Sequence, residues 1–229
     1  MPADRLATGI ASVDRLLGGG LETDAVTELY GEGGSGKTLF CLDVAARVAK
    51  ASRWVFYIDT EGVSLERLRQ VSGDDFDRVL GRLLLSAPKD LEQQGRAVAT
   101  ACALARGGRR DVGLLVLDSA TNYYRLSLSG PDEDDAREAL VLQVADLVAT
   151  ARGRGLAVLM TNQVWRSVRD GALEPLGGSF LNHAAKTILR FDRREGAVRS
   201  AVLVKHRSRP PGQAAFRITS AGLESIGSG

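Results

Sequence analysis

The chain has 229 residues, of which 44% are hydrophobic and 25% charged, and these values predict one globular domain of ordinary size. The formal net charge of +2 at pH 7 excludes the strong overall positive charge that marks many nucleic-acid-binding proteins. We find no secretory signal and no apolar run of the roughly 18–20 residues needed to span a bilayer, so we expect a cytoplasmic protein that does not bind membranes.

Short apolar runs alternate with helical patterns through most of the chain, as in a parallel α/β sheet. Predicted strands cover residues 26–30, 54–58, 83–85, 112–117 and 156–160. Predicted helices cover residues 12–17 (with Ser12 as the N-cap), 39–50, 64–71, 74–80, 91–106 and 131–152. Beyond them, residues 187–191, 200–204 and 215–218 are predicted antiparallel strands that extend the sheet. The two cysteines, Cys41 and Cys102, lack metal-ligand spacing and are predicted to be buried free thiols.

A glycine-rich stretch after the first predicted strand fits G-x-x-x-x-G-K-[ST], the phosphate-binding P-loop. The candidate nucleotide-binding residues are Gly31, Glu32, Gly33, Gly34, Ser35, Gly36, Lys37, Thr38 and Leu39. A strand, a glycine loop and a helix in this order direct backbone N–H groups toward a phosphate chain. Lys37 is predicted to contact the β- and γ-phosphates of ATP, and the Thr38 hydroxyl to ligate Mg²⁺. The alternative is a glycine-rich turn before a helix, which the four fixed positions and their flanks disfavour.

An acidic residue follows each of two further predicted strands. Glu61 lies just beyond residues 54–58, where open α/β sheets bind ligands, and is a candidate for polarising the water that attacks a γ-phosphate. From position alone, a solvated turn carboxylate is an equally good interpretation. Asp118 closes the apolar run 112–117, which is the Walker B pattern, whose aspartate holds Mg²⁺. Because such a run is common by chance, it is the P-loop upstream that favours the metal role.

The segment from 164 to 178 is predicted to be a mostly polar loop. It contains Trp165, Arg166 and Arg169, and basic residues beside an aromatic ring suit single-stranded nucleic acid. A solvated surface loop explains the same residues equally well. The glutamine before this loop, Gln163, is placed where its amide would sense a γ-phosphate, although alone it would be an ordinary loop residue.

Several motifs in the correct order resemble the RecA-type recombinase core, in the archaeal branch of RadA and its paralogue RadB. They are Thr8-Gly9, residues 13–20, the P-loop, residues 57–62, residues 117–121, Tyr124-Arg125, residues 161–164, residues 177–179 and His183-Ala184. The resemblance covers nearly the whole chain. It implies an α/β fold: a single RecA-type P-loop ATPase core over residues 1–229, with a mostly parallel central sheet flanked by helices and C-terminal antiparallel strands.

The resemblance also implies roles for individual residues. Glu61 matches the catalytic glutamate of the family, Lys37 is a further catalytic candidate, and Gln163 matches the glutamine that couples the γ-phosphate to a DNA-facing loop. Lys205 and Arg207 resemble a basic element that reaches across a subunit interface to the γ-phosphate, although a basic strand end is the plain alternative. The DNA-binding candidates are Arg125, Trp165, Arg166, Arg169 and Arg209.

The departures from RadA shape the predicted function. RadA has a helical DNA-binding domain before the core and a linker phenylalanine that plugs into the next subunit, and we expect neither here because the core begins at once. Four acidic residues, 132–135, follow the first DNA-facing loop and would repel phosphate, although acidic residues also suit a first helical turn. We therefore expect a RadB-type paralogue, a monomer or small homo-oligomer rather than an autonomous filament.

The resulting prediction is an ATP-binding accessory protein of homologous recombination and DNA repair. It is expected to use ATP and Mg²⁺, to hydrolyse ATP weakly, and to promote no strand exchange alone. The partners implied by the resemblance are DNA, a RadA-type recombinase and a Holliday-junction resolvase. The alternatives are a DNA-stimulated ATPase with active strand exchange and a ring-forming signalling ATPase of the same fold.

Overall fold

The computed structural model describes residues 4–128, 130–167, 171 and 173–227. Within these residues the strands are β1 Arg5–Leu6, β2 Leu21–Glu22, β3 Val26–Tyr30, β4 Trp54–Asp59, β5 Leu83–Ser86, β6 Val112–Asp118, β7 Ala157–Asn162, β8 Val164–Arg166, β9 Leu173–Pro175, β10 Thr187–Arg193, β11 Val198–Lys205, β12 Gly212–Thr219 and β13 Gly222–Ser225. The α-helices are α1 Ala11–Leu17, α2 Lys37–Lys50, α3 Leu65–Ser72, α4 Phe76–Leu80, α5 Leu91–Arg106, α6 Glu133–Arg154 and α7 Gly178–Ala184.

A nine-stranded sheet spans the described residues in the order β13-β12-β11-β10-β3-β7-β6-β4-β5. The six strands from β10 to β5 are mutually parallel, and β11, β12 and β13 continue the sheet in antiparallel fashion. The predicted α/β fold with an antiparallel C-terminal extension is therefore confirmed. In a parallel sheet all carboxyl ends lie at one edge, so the segments after β3, β4, β6 and β7 meet there.

The two faces of the sheet carry separate apolar cores because successive side chains of a strand point to opposite faces. In β4, for example, Val55 and Tyr57 pack with α2, whereas Phe56 and Ile58 pack with α5 and α6. Strands β6 and β7 divide their residues in the same way. This double burial explains why the central strands are continuous apolar runs rather than alternating ones.

Four details differ from the sequence prediction. Helix α1 begins at Ala11 rather than after Ser12, and the Ser12 hydroxyl instead donates to the carbonyl oxygen of Ala215 at 2.8 Å. Strand β7 continues through Asn162, beyond the predicted end at 160. The predicted loop 164–178 contains the antiparallel pair β8–β9, whose backbone pairing leaves no apolar pattern in the sequence. The short strands β1, β2 and β13 were not predicted.

None of the helices found among the described residues has the length and hydropathy required to cross a bilayer. Both cysteines are buried and unpaired, as predicted.

Candidate nucleotide-binding site

The glycine loop between β3 and α2 forms an open cradle. A β-carbon on Gly31 would lie 2.2 Å from the carbonyl oxygen of Phe191, so only glycine allows this close approach of the loop to β10. By contrast, a β-carbon on Gly33 or Gly34 would meet no atom within 4 Å, so the loop leaves space above its backbone. The Ser35 hydroxyl is buried and has no hydrogen-bond partner among the described residues. These features fit a phosphate chain lying over the loop.

Lys37 begins α2 with its ammonium group turned back over the loop. Its Nζ donates to the carbonyl oxygens of Gly31 at 2.7 Å and Glu32 at 3.2 Å. Burial lowers the pKa of Lys37, while the carboxylates of Glu61 and Asp118 act in the opposite direction. The ammonium group therefore lies near Glu61 and Asp118, the two carboxylates that the sequence assigned to the same site.

Asp118 ends β6 with its carboxylate held from two sides. Tyr57 donates its phenol O–H to one oxygen at 2.7 Å, and Thr161 donates its hydroxyl to the other at 2.5 Å. Burial raises the pKa of Asp118, and hydrogen bonds from Thr161, Tyr57 and Thr38 oppose that rise. The carboxylate is therefore fixed next to the Thr38 hydroxyl, as the predicted metal role requires.

These two oxygen donors fit Mg²⁺, which binds proteins through one or two carboxylates together with substrate phosphates and water. Among the described residues there is no cluster of three histidine, cysteine, aspartate or glutamate side chains suited to a metal. A magnesium ion held by Thr38 and Asp118 would therefore take its other ligands from phosphate oxygens and water.

Glu61 is placed by the loop that follows β4. The Asp59 carboxylate accepts the backbone N–H groups of Glu61 at 3.1 Å, Gly62 at 2.9 Å and Val63 at 2.6 Å. The Thr60 hydroxyl donates to the carbonyl oxygen of Ser119 at 3.0 Å, which ties the loop to the end of β6. Asp59 belongs to the motif of residues 57–62, in which the sequence analysis assigned a role only to Glu61. The structure shows that it shapes the backbone that presents Glu61.

Gln163 reaches Glu61 directly. Its Nε2 donates to Glu61 Oε1 at 2.8 Å and to Asn122 Oδ1 at 3.2 Å. The Gln163 Oε1 atom is buried without a partner among the described residues. Two side chains separated by 102 positions, which the sequence could only group by resemblance, thus share a hydrogen bond.

A buried polar network behind Gln163 was missed by sequence reasoning. Asn162 donates to Glu28 Oε1 and to the carbonyl oxygen of Leu176, both at 2.7 Å, and accepts the Thr121 hydroxyl at 2.7 Å. Glu28 is fully buried, and its Oε2 has no partner among the described residues. Burial raises the pKa of Glu28 from its ordinary 4.5 to about 7. The network links β3, which leads into the P-loop, to the segment that follows β7.

A cavity of about 380 Å³ opens between the P-loop and the Glu61 loop, and Lys37, Thr38, Glu61 and Arg67 are among its lining residues. Arg67 donates to the carbonyl oxygens of Thr219 at 2.6 Å and Ser220 at 3.3 Å. A second unpredicted arginine, Arg199, donates to the carbonyl oxygen of Gly34 at 3.1 Å. No motif identifies either arginine, because their position depends on how α3 and β11 fold back onto the loop.

Lys205 and Arg207, which were predicted to reach across a subunit interface, contact their own chain. Lys205 Nζ donates to the carbonyl oxygens of Asn182 at 2.5 Å and Ala185 at 2.8 Å, at the end of α7. Burial lowers the pKa of Lys205, with a further contribution from Lys186.

Arg207 forms ion pairs with Glu22 at 3.1 Å and Asp24 at 2.5 Å. The Arg207 bond holds the pKa of Asp24 below its ordinary value. Neither Lys205 nor Arg207 lines the nucleotide cavity, so their role across a subunit interface stays a prediction.

The DNA-binding candidates are spread over different surfaces. Arg125 is exposed in a 3₁₀ turn after β6, and Trp165 on β8 is 45% exposed. Arg166 belongs to β8, but its side chain lies outside the described residues, as does the whole of Arg169. Arg209 instead lies against the end of α1, where it donates to the carbonyl oxygen of Arg15 at 3.4 Å.

The glycine cradle, Lys37, Thr38 and Asp118, with Glu61 and Gln163 at the neighbouring strand ends, define a P-loop nucleotide-binding core of the RecA type. A family model described as Rad51 matches residues 4–226. The chain belongs to the Rad51 family. Members of this family bind ATP and typically depend on Mg²⁺.

The relatives found include archaeal proteins of similar length. The "DNA repair and recombination protein RadB" of Methanoculleus marisnigri is 42% identical over 230 residues, covering 99% of this chain and 100% of the relative. Its counterpart in Archaeoglobus fulgidus is 40% identical over 225 residues, covering 96% and 97%. A solved structure described as "Crystal structure of the RadB recombinase" has a TM-score of 0.81 and 33% identity, covering 97% of this chain and 100% of that one. The predicted similarity to RadB and the role in DNA repair and recombination are confirmed.

Proposed function

We propose that this chain is an ATP-controlled accessory protein of homologous recombination, which binds ATP with Mg²⁺ and uses the nucleotide mainly as a switch. The observation that carries the proposal is the hydrogen bond of 2.8 Å between Gln163 and Glu61. It joins a residue of the nucleotide cavity to the segment that carries Trp165. A change at the γ-phosphate can therefore reach the surface that is proposed to bind DNA.

The residues of the cradle support nucleotide binding. Backbone N–H groups of the loop and the N-terminus of α2 would hold the β- and γ-phosphates, and Lys37 would add the charge that a phosphate chain needs. Thr38 and Asp118 would hold the metal, which when bound neutralises charge on the β- and γ-phosphates. To reach the phosphates, Lys37 Nζ must exchange its bonds to the carbonyl oxygens of Gly31 and Glu32 for bonds to phosphate oxygens.

Hydrolysis is proposed to use Glu61 as the base. A water oxygen attacks the γ-phosphorus while Glu61 accepts its proton, and the bond from the γ-phosphorus to the bridging oxygen breaks to give ADP and phosphate. Gln163 competes for Glu61 Oε1 as a hydrogen-bond donor, so the base is engaged before it meets water. Lys205 and Arg207 bind acceptors of their own chain and do not line the nucleotide cavity, which supports weak turnover because neither of these two cations would reach the γ-phosphate.

The proposed DNA surface lies where β6 and β7 end side by side. The Ala120 N–H donates to the carbonyl oxygen of Thr161 at 3.0 Å, which holds the starts of the two following segments together. Arg125 and Leu126 are exposed on one segment and Trp165 on the other. A cation for phosphate and exposed rings or apolar groups for bases suit single-stranded nucleic acid.

A separate observation supports a protein partner. Strand β5 pairs only with β4 among the described residues, and a cavity of about 310 Å³ beside it is lined by residues such as Ile58, Leu84, Leu85 and Ala97. An unpaired sheet edge next to a cavity with several apolar lining residues suits an extended partner segment that inserts an apolar side chain. We propose a RadA-type recombinase as this partner. A Holliday-junction resolvase, a monomeric or small oligomeric state, and a cytoplasmic location remain parts of the proposal that rest on resemblance.

The proposal is tested with the Lys37→Ala variant. Loss of the ammonium group should weaken binding of a fluorescent ATP analogue at least about a hundredfold, because two charge-assisted contacts are removed. The nucleotide-dependent difference in affinity for labelled single-stranded DNA should disappear with it. The control is Lys50→Ala. Lys50 is the last residue of α2, far from the P-loop, and it forms an ion pair with Asp75. Retained nucleotide affinity in Lys37→Ala, or DNA affinity that ignores nucleotide in the wild type, contradicts the proposal.

One assay distinguishes the accessory role from a second candidate function, that of a recombinase with active strand exchange. That candidate is favoured because the candidate catalytic residues Lys37 and Glu61 line one cavity and Gln163 donates a hydrogen bond to Glu61. Homologous single- and double-stranded DNA are mixed with the purified chain, ATP and Mg²⁺. Efficient strand exchange without another recombinase supports the second candidate and excludes the accessory role.

A further inference from the structure

Arginines gather at the edge of the sheet opposite the nucleotide site. The parallel strands β4, β5, β6 and β7 all begin at this edge, and each is preceded by one or more arginines. We call this set the arginine edge: Arg53, Arg82, Arg109, Arg110, Arg152 and Arg154. These arginines are far apart in the sequence and form no motif. Only the parallel alignment of the strands brings them together.

Backbone hydrogen bonds fix the neighbouring strand starts. The Trp54 N–H donates to the carbonyl oxygen of Asp111 at 2.8 Å, and the Val55 N–H donates to that of Arg82 at 2.9 Å. Arg154 approaches from the end of α6, with its guanidinium 3.8 Å from where a β-carbon on Gly108 would lie. The arginines therefore line a row along adjacent strands, which are spaced about 4.8 Å apart.

Several arginine side chains of this row are held in place by contacts with neighbouring residues. The guanidinium groups of Arg110 and Arg82 lie 4.6 Å and 5.2 Å from the centre of the Trp54 ring. Stacking on an aromatic ring orders an arginine and leaves its N–H fork available for an oxyanion. Arg53 is held by Asp111, with N–O distances of 3.2 Å. Ordered cations lose less entropy on binding than freely moving ones.

A cavity of about 310 Å³ lies within the arginine edge. It is lined by Arg53, Arg110 and Arg154 with a single carboxylate, Asp111. Of the three further members, Arg82 stacks on Trp54, Arg109 precedes Arg110 in the chain, and Arg152 in the last turn of α6 acts electrostatically on Asp24. Among the described residues, only Arg53 of the six forms an ion pair, so five positive charges have no carboxylate within salt-bridge distance.

We infer that the arginine edge is a second nucleic-acid-binding surface, which takes the phosphate backbone of duplex DNA. An arginine fork matches two oxygens of one phosphate, and a row along several strands matches successive phosphates of one strand. The surface is independent of base sequence because it offers charges rather than groups that read base edges.

An acidic protein partner fits the same surface less well. Protein interfaces have an apolar centre surrounded by a polar rim, whereas of the three apolar side chains that line this cavity Ala105 and Leu156 are buried and only Val112 is partly exposed. None of the large exposed hydrophobic side chains of the described residues lines the cavity. A surface on which arginines outnumber the single carboxylate of the cavity, Asp111, favours a polyanion whose charges are regularly spaced.

The arginine edge lies at the far ends of the strands that carry the nucleotide site. Strand β6, from Val112 to Asp118, separates the two by roughly 20 Å at about 3.3 Å per residue. The two surfaces can therefore be changed separately. Together with the segments after β6 and β7, the arginine edge would let one chain hold two DNA segments at opposite edges of its sheet.

The test is a triple variant, Arg109→Gln, Arg152→Gln and Arg154→Gln. These three side chains are exposed, and the stacking on Trp54 and the Arg53–Asp111 pair stay intact. A matched control, Arg15→Gln, Arg193→Gln and Arg217→Gln, removes the same charge from exposed arginines elsewhere. Binding of a labelled 40-base-pair duplex is measured by fluorescence anisotropy between 50 and 300 mM KCl, without nucleotide. Thermal unfolding and binding of the fluorescent ATP analogue confirm that both variants are folded.

The triple variant should lose at least about tenfold in duplex affinity near 100 mM KCl, and the slope of log affinity against log salt should fall by about 2 to 3, since each phosphate contact contributes about 0.9. The control should change the slope by less than about 1. Equal losses in both variants, or no loss in the triple variant, overturn the inference. It is also overturned if polyglutamate displaces bound protein while the triple variant keeps its duplex affinity, because an acidic protein is then the ligand. Since nucleotide is absent, failure here leaves the Lys37→Ala test unaffected.

Discussion

The nucleotide site and the C-terminal basic segment, Lys205 to Arg209, both contain cationic side chains, but these side chains differ in the partners that the protein gives them. Lys37 lies at an open cavity, and its hydrogen bonds to the described residues go to carbonyl oxygens of its own loop, which a phosphate chain can replace. Arg207 is instead paired with two carboxylates, one of which, Glu22, is almost fully buried. The comparison shows that charge alone does not identify a catalytic group. What matters is whether the protein has already supplied its partner.

Glu61→Gln should have the largest effect on the nucleotide side of this comparison. The variant keeps an oxygen for the Gln163 amide but cannot accept a proton, so single-turnover phosphate release should fall by about 10²- to 10⁴-fold while nucleotide affinity is kept. Glu66→Gln, an exposed glutamate five residues later, should leave the rate unchanged. A parental rate in Glu61→Gln would show that another group is the base.

Glu28→Gln should change how stability depends on pH. The folded protein raises the pKa of Glu28 from 4.5 to about 7, so in this window the folded state holds a proton that the unfolded state releases. The stabilisation is complete below pH 4.5 and is lost as pH rises through 7. The free energy of unfolding of the wild type relative to Glu28→Gln should therefore fall by at most about 3 kcal/mol between pH 4.5 and 8. Urea titrations at several pH values measure it, with Glu66→Gln as control. Parallel pH profiles for the wild type and Glu28→Gln would show that Glu28 is not the group that titrates.

Arg207→Gln separates the structural role from the predicted role across a subunit interface. Removal of the guanidinium leaves buried Glu22 with Arg5 as its remaining cation at 3.3 Å, and should lower the free energy of unfolding by about 1–2 kcal/mol. Phosphate release per folded molecule should not change. A loss of rate that grows with protein concentration, with stability unaltered, would instead favour the interface role.

Lys205→Met should have the smallest effect. The side chain retains its apolar stem but loses two hydrogen bonds to the end of α7, which should cost about 1 kcal/mol and increase amide exchange over residues 178–185. Lys186→Met, which removes a nearby lysine, is the control. Unchanged exchange together with slower hydrolysis would contradict the structural interpretation.

The sequence predicted the central elements well and the connections less well. Helix α5 has the predicted bounds, and β3, β4 and β6 differ by at most one residue, because burial on both faces produces long apolar runs. Strands β8 and β9 were missed because their pairing depends on backbone bonds such as that from the Leu176 N–H to Gln163. The N-cap at Ser12 was wrong because that hydroxyl serves β12, more than 200 residues away in the chain. The prediction of a single domain over residues 1–229 stays a prediction.

The sequence by itself showed the P-loop, because phosphate chemistry requires those residue types at short, fixed spacings, and resemblance over several motifs indicated the family and the candidate roles of Glu61 and Asp118. Only the tertiary structure showed that Gln163 contacts Glu61, that Asn162 is tied to Glu28, and that Arg207 is already paired. It alone aligned the arginine edge. These contacts join residues far apart in the chain, and parallel strands bring such residues together without leaving a local pattern.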